Sequence, residues 1–516
     1  MDLREVLNSN SLRKSPEFKE IFDNLHSNDL IFLINGEFEV DGNFVLLCES
    51  TKDGEISIDV EGEVFLFQLK SYEPTPLKIK FDFGEKDVIN YKYRFLSSSG
   101  EGKFFTKYSD ETDYAVISCN DPTRKINNRP NLFESVKDVQ VRFFLGDQIY
   151  GDIAFFSEII SDEAYNKVFE INPGTKIRKF APIIYQVVYG LSFWNDRLTD
   201  DEIFQRYSEL YRLFFWKEQE FLRTGMNLFM PDDHDFYDAC GSVYDDLDDI
   251  RLRVVKAGYR VFDRYQMGTR INQNSAVYFS KVLGETLYIG VDTRVDRFSK
   301  KMKNHIFENS FNYEERPTWI SPEQTNWVKN LLEKNKFKKI IVSLSTSINP
   351  GSEFAIKKTT KFVSDSLEYY SNPRSRVEFE EFFRMFFDLN ANVVFITGDV
   401  HKCNINDFKF KNKKIFELTS SAISRTARGD EDSANFGMLL FFDTWLFKSS
   451  NFDGIKQKYE LVSLGNNVLK FTFSEKEIKG RIFCFTPLSY LGALLQKFGL
   501  KKEDNKLREI DFERKF

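Results

Sequence analysis

At 516 residues the chain is too long for one ordinary core, and two or three domains are expected. Its hydrophobic content of 41% and charged content of 29% are those of a soluble globular protein, and a net charge of −7 with the signs interspersed argues against a nucleic-acid-binding surface. No stretch approaches the roughly 20 consecutive apolar residues of a membrane span. The start of the chain, Met1 to Asn8, lacks a basic segment followed by an apolar one. No export signal is visible there, and a cytoplasmic location is the expectation. Cys48, Cys119, Cys240, Cys403 and Cys484 are scattered, odd in number and without paired spacing, which points to free thiols in a reducing compartment.

Residues 1–110 alternate with period two once past the first two dozen positions. Ile56, Ile58 and Val60 form one run; Leu77, Ile79, Phe81 and Phe83 form another; Ile89, Tyr91, Tyr93 and Phe95 a third. Turn signals at Asp41-Gly42, Asp53-Gly54 and Glu61-Gly62 separate such runs, and the pattern predicts an antiparallel β-sandwich-like domain. From about 111 to 486, strands alternate with helices, as in an α/β layered domain. Val139 to Leu145 reads as a buried strand broken by Gly146. Thr199-Asp-Asp-Glu202 is a capping box that opens a helix carrying Ile203, Phe204, Tyr207, Leu210, Tyr211 and Phe214 on one face. Ser321, with Pro322 in the first turn and Gln324 at N3, opens another, followed by the strand Ile340 to Leu344. A helix over Val377 to Leu389 places Phe379, Phe382, Phe383 and Phe386 on one stripe. The Lys/Arg-rich stretches near 295–320 and 348–376 read either as solvated loops or as a basic rim that draws in an anion. Strands at Phe436 to Phe442 and Lys458 to Val462 close a sheet. Residues 487–516 read as a C-terminal amphipathic helix and tail, with Leu488, Leu491, Leu494, Leu495 and Phe498 as its apolar stripe.

Four short runs end abruptly in residues that bind metals. Tyr114 to Cys119 ends in Ser-Cys; Phe143 to Tyr150 ends in Gly146-Asp147-Gln148-Ile149-Tyr150; Met230-Pro231 leads to Asp232-Asp233-His234-Asp235; Val393 to His401 ends in Gly398-Asp399-Val400-His401. Any one of them alone reads equally well as a helix cap, a turn or a buried strand residue. The chain has four histidines, and two of them, His234 and His401, fall in these motifs.

With Gly290-Val-Asp292-Thr-Arg294, five motifs stand in the order seen in the PhoD-like (alkaline phosphatase D) metallophosphoesterases, which belong to the calcineurin-like and purple acid phosphatase-like superfamily. The chain resembles that family over residues 114–401. The resemblance implies a four-layer sandwich, two mixed β-sheets flanked by helices, preceded by a small all-β domain. It implies a phosphatase or phosphodiesterase, and a C-terminal helix close to the active-site mouth, which would be a lid if docked there and only packing if it lies on the outer layer. It departs from the family pattern in having Pro231 where a Trp is usual and Gly151-Asp152 after the Gly-Asp-x-x-Tyr motif.

Cys119, Asp147, Tyr150, Asp232, Asp233, Asp399 and His401 make a strongly anionic donor set, which cations would hold together because like charges raise one another's pKa. Two metals sharing a carboxylate meet that need. By the resemblance, Asp147 bridges; Cys119, Tyr150 and His401 complete a first site; Asp233 and Asp399 serve a second, with Asp232 beside them. Phenolate and thiolate suit Fe3+ and oxygen ligands suit Ca2+, with Mn2+ or Zn2+ as alternatives. A metal-activated water would attack phosphorus, His234 would protonate the leaving oxygen, and Arg294 would clamp a phosphate, with Asp292 either orienting it or reaching a metal. The substrate is then a small-molecule, lipid-type or nucleotide-type phosphoester. The competing reading is a catalytically silent scaffold in which metals only stabilise the fold.

Overall fold

The computed structural model describes residues 23–122, 129–150, 199–236, 240–241, 249–272, 276–298, 300–307, 319–334, 336–348, 376–421, 423, 449–452, 454–485 and 506–516. Seven strands come first: β1 (Leu30–Phe38), β2 (Asn43–Ser50), β3 (Gly54–Val60), β4 (Glu63–Leu69), β5 (Thr75–Lys80), β6 (Val88–Phe95) and β7 (Ser98–Phe105). They form two antiparallel sheets, β1-β2-β5 and β4-β3-β6-β7, as the period-two patterning requires. Phe38, Phe44 and Phe104 lock the sheets together, with Phe44 and Phe104 ring centroids 5.1 Å apart.

The layered part then adds β8 (Tyr114–Ile117), α1 (Arg129–Ser135), β9 (Val141–Leu145), α2 (Asp200–Leu222), β10 (Met226–Met230) and α3 (Asp249–Tyr265). Next come β11 (Phe279–Leu283), β12 (Thr286–Gly290), α4 (Lys300–Ile306), α5 (Pro322–Lys334), β13 (Lys339–Thr346), α6 (Arg376–Phe387) and β14 (Asn392–Gly398). The chain closes with β15 (Cys403–Phe410), β16 (Lys413–Ser420), β17 (Ser449–Phe452), β18 (Ile455–Ser463), β19 (Asn467–Phe473), β20 (Glu477–Cys484) and β21 (Arg508–Lys515). Two mixed sheets result, β10-β9-β8-β19-β20-β21 and β11-β12-β13-β14-β16-β15-β18-β17.

Alternation along the central strands builds the layers. Ala115, Ile117 and Phe144 face one way, into a core shared with Tyr211, Phe214 and Phe215 of α2 and Phe262 of α3. Their neighbours Val116, Phe143 and Leu145 face the other way and meet Ile341, Val394 and Ile396 of the second sheet. Ile340, Val342, Val393 and Phe395 turn outward again, onto α5 and α6. The order is helices, sheet, sheet, helices, which is the four-layer arrangement expected. Phe383 and Phe386 of α6 each stand 5.2 Å from Phe395 edge-on, and truncating such a ring to Ala costs about 3–5 kcal/mol.

The predicted caps form. Thr199 Oγ1 accepts from the Glu202 N–H at 3.2 Å and Glu202 answers by accepting from the Thr199 N–H at 2.7 Å. Ser321 Oγ accepts from the Gln324 N–H at 3.1 Å. The N-terminal sheets are fastened to the helical layer through a buried ion pair, Arg212 of α2 with Glu49 of β2 at 2.8 Å, which Tyr265 of α3 joins through a 2.7 Å hydrogen bond. All five cysteines are buried free thiols.

Two regions read differently in three dimensions. Arg297 and Lys303, in the basic stretch after 295, are buried, while Lys301 is exposed and 308–318 lie outside the described residues. Asp296 takes the Lys303 ammonium, with its backbone oxygen at 2.8 Å and its carboxylate at 3.7 Å. At the C-terminus, Arg508–Lys515 is an edge strand paired antiparallel with β20 and not part of a helix. The apolar stripe Leu488 to Phe498, the expected strand Phe436 to Phe442 and the stretch 349–375 lie outside the described residues. Among the described residues no helix is long and apolar enough to cross a membrane.

Candidate metal centre

In β8, β9 and β10 the parallel register aligns Ile117 with Phe144, and Leu145 with Met230, so three chain segments leave one sheet edge together. Beyond that edge lie Cys119, Asp147 with Tyr150, and the turn Asp233–Asp235. Gly398 of β14 in the second sheet brings Asp399 and His401 to the same place. Carboxyl ends of strands are where ligands collect in such sheets. Gly146 makes the approach possible: it has φ +81°, and a Cβ there would lie 2.1 Å from the Asp232 Cβ.

Backbone strain marks the same residues. Cys119 (φ 53°), Asp147 (55°), Asp399 (65°) and His401 (51°) all occupy the left-handed region, which non-glycine residues seldom enter and which persists where surrounding contacts over-determine it. Those contacts are visible. Asn120 N–H donates to the Asp147 carbonyl at 2.8 Å, and the Val400 N–H to the Gly398 carbonyl at 2.8 Å.

Asp147 is the hub. Its Oδ2 accepts from Tyr150 Oη at 2.8 Å and lies 3.6 Å from Cys119 Sγ, while its Oδ1 takes the His234 N–H at 3.3 Å. Tyr150 Oη also sits 3.3 Å from His401 Nε2, and the Tyr150 ring is 4.3 Å from that of His234. Cys119, Asp147 and His401 offer donor atoms within 4.8 Å of one another; so do Asp147, Asp233 and His234, and so do Asp232, Asp233 and Asp399. The seven predicted ligands are therefore brought together, with Asp147 shared by the first two groups and Asp233 by the last two. His234 stands with the donors as well as with the expected proton donors.

Arg294 lies among the carboxylates of the Asp232 end. It is buried; its Nε donates to Asp232 Oδ1 and an outer nitrogen is 3.6 Å from Asp233 Oδ1. Asp292 caps the turn that carries it, accepting at 3.0 Å from the Arg294 N–H and at 2.9 Å from each of the Val295 and Asp296 N–H groups. Asp292 belongs to none of the three donor groups.

Three further residues hold the site and were not singled out from the sequence. Asp235 accepts from the backbone N–H of Asp147 (3.0 Å) and Asp232 (2.9 Å), and from Tyr211 Oη (2.8 Å), tying two ligand loops to α2. Its position as the last acid of Asp-Asp-His-Asp was the available signal. Ser421 Oγ meets Cys119 Sγ at 3.0 Å and the His401 N–H at 2.9 Å, and Thr346 Oγ1 donates to Asp399 Oδ2 at 2.7 Å. Nothing in the sequence distinguishes that serine or threonine from its neighbours.

The electrostatics suit cations. Burial, then the neighbouring Asp233 and Asp235, push the Asp147 carboxyl up to about 7 despite relief from His234 and Tyr150. Burial raises Asp235 to about 6, and burial with Asp147 nearby raises the Cys119 thiol. Among the described residues, the buried Asp232 Oδ2 has no hydrogen-bond donor, and neither amide atom of the fully buried Asn120 has a partner. Thiol, phenol, imidazole and clustered carboxylates with an orphaned oxygen fit a bound metal.

The model of the PhoD-like phosphatase family matches residues 230–449. A solved structure of PhoD is similar over 94% of this chain and 90% of its own length, at 13% identity and a TM-score of 0.58, which shows the fold. A cycloisomaltooligosaccharide glucanotransferase of Paenibacillus sp., 9% identical over 75% of this chain and 57% of its own, reaches a TM-score of 0.18 and carries no argument. Comparison with curated proteins finds no match. Residues 230–449 thus match the PhoD-like phosphatase family, and the fold of PhoD extends over most of the chain.

Proposed function

We propose that the chain is a metal-dependent phosphoesterase that hydrolyses phosphomonoesters or phosphodiesters of small-molecule, lipid or nucleotide type. The observation that carries this reading is the linkage of three donor groups through Asp147 and Asp233. In it, Cys119, Asp147, Tyr150 and His401 would hold Fe3+, and Asp147, Asp233 and Asp399 would hold a hard ion, Ca2+ in first place and Mn2+ or Zn2+ as substitutes. When bound, such ions supply a nucleophilic water near neutral pH and offset charge on the phosphoryl oxygens.

The protein's own residues do the rest. His234 gives a proton to the leaving oxygen; its backbone is anchored on Asp147 and its ring rests against Tyr150, so the imidazole is held beside the reacting position. Asp235 fixes the loops bearing Asp147 and Asp232 through two N–H bonds. Arg294 balances Asp232 and Asp233 and sets their spacing. Binding a phosphate directly would be an additional role for it.

Turnover of a chromogenic phosphomonoester and the matching diester by purified protein tests the reading. At least one is hydrolysed, activity disappears on exhaustive chelation, and metal restores it. A protein that carries its metals yet turns over neither ester is a scaffold.

A further inference from the structure

Deep in the second sheet lies a buried carboxylate that belongs to none of the donor groups and that the reaction does not use. Glu417 of β16 is fully buried and makes no ion pair among the described residues. Its Oε1 accepts from Ser347 Oγ (2.9 Å), the Ile348 N–H (2.7 Å) and Thr397 Oγ1 (3.0 Å); its Oε2 accepts from Asn406 Nδ2 (2.5 Å). Burying a carboxylate is costly, and four donors offset that cost.

We propose that Glu417 is a positioning residue for the metal centre, gripping the two strand ends that hold Asp399 in place. The proposal rests on the reading of Asp399 as a ligand. Ser347 and Ile348 follow Thr346 directly, and Thr346 Oγ1 donates to Asp399 Oδ2. Thr397 precedes Asp399 by two residues on β14, and its hydroxyl also meets Thr419 Oγ1 at 2.8 Å. One carboxylate thus fixes both the turn that presents the hydroxyl and the strand that presents the ligand. Asp399 stands at φ 65°, a conformation that relaxes unless its surroundings hold it. Glu417 is what joins those surroundings. A polar group that served the core alone would have no reason to take its donors from the two segments flanking Asp399.

The test is calorimetric titration of chelator-treated protein with Ca2+ or Mn2+, beside the melting temperature of the same metal-free samples. Glu417→Leu strands the donors on both segments; the folded protein should bind the ion about 10–100-fold more weakly, the scale for partners that orient a ligand. Glu417→Gln should stay within about twofold, since it keeps the acceptor for three donors. The Asn406 amide can turn to meet its new N–H, because Asn406 Oδ1 has no partner among the described residues. If the leucine variant does not fold, Ser347→Ala, which frees only the turn, should still weaken binding severalfold with little change in melting temperature. Variants that lower the melting temperature but bind the ion as wild type does would overturn the role of Glu417. Wild-type protein that binds no ion at all would instead overturn the functional reading itself.

Discussion

The two ends of the candidate centre are built on different electrostatic plans. Around Asp147, the donors are a thiol, a phenol and an imidazole, and among the described residues Asp147 itself makes no ion pair with an arginine or lysine. Around Asp232, the donors are carboxylates alone, and Arg294 is buried among them as a counter-charge. The protein neutralises the second end partly by itself and leaves the first to a cation. Loss of one residue should therefore fall on metal and chemistry at the Asp147 end, and on folding at the Asp232 end.

Asp147→Asn should have the largest effect, because Asp147 belongs to two donor groups. Metal content should drop at both positions, and kcat/KM by more than about a thousandfold, as for residues that act as a unit. Loss of one ion only would show that the groups are independent and break the comparison.

His234→Ala comes next. As the proton donor, it should cost about 10²–10⁴-fold for alkyl esters and far less for esters of acidic phenols, with the metals retained. Equal losses for the two, together with lost metal, would make His234 a ligand, as its place beside Asp147 and Asp233 also permits.

Arg294→Met should act mainly on stability. Removing one partner of a buried pair leaves the other charge uncompensated, at about 3–5 kcal/mol. The melting temperature of metal-free protein should fall clearly, and added metal should recover part of it by supplying the missing positive charge. A raised KM with unchanged melting temperature would return Arg294 to the role of a phosphate clamp.

Local chemistry was legible in the sequence wherever it follows period or capping. The two helix caps, the aromatic stripe of α6 and the alternation in the N-terminal strands all form as the residues dictate. The metal-type residues were legible because each ends a short apolar run. What could not be read is which charge meets which. In the basic stretch after 295, nothing in the sequence says that Lys303 is buried against Asp296, or Arg294 before it against Asp232. Asn404 and Asn406 alternate with apolar residues as a solvent-facing strand would, yet both are buried, and Asn406 bonds Glu417. At the C-terminus the charged residues drew the eye, although Ile510 and Phe512 already had the spacing of a strand; pairing with β20 decided it.

Metal content together with the visible spectrum of the purified protein tests the central claim most directly. The account predicts about two metal ions per chain, one of them iron, and a phenolate-to-iron absorption that Tyr150→Phe removes without unfolding the protein. A colourless protein with no bound metal and full esterase activity would contradict it.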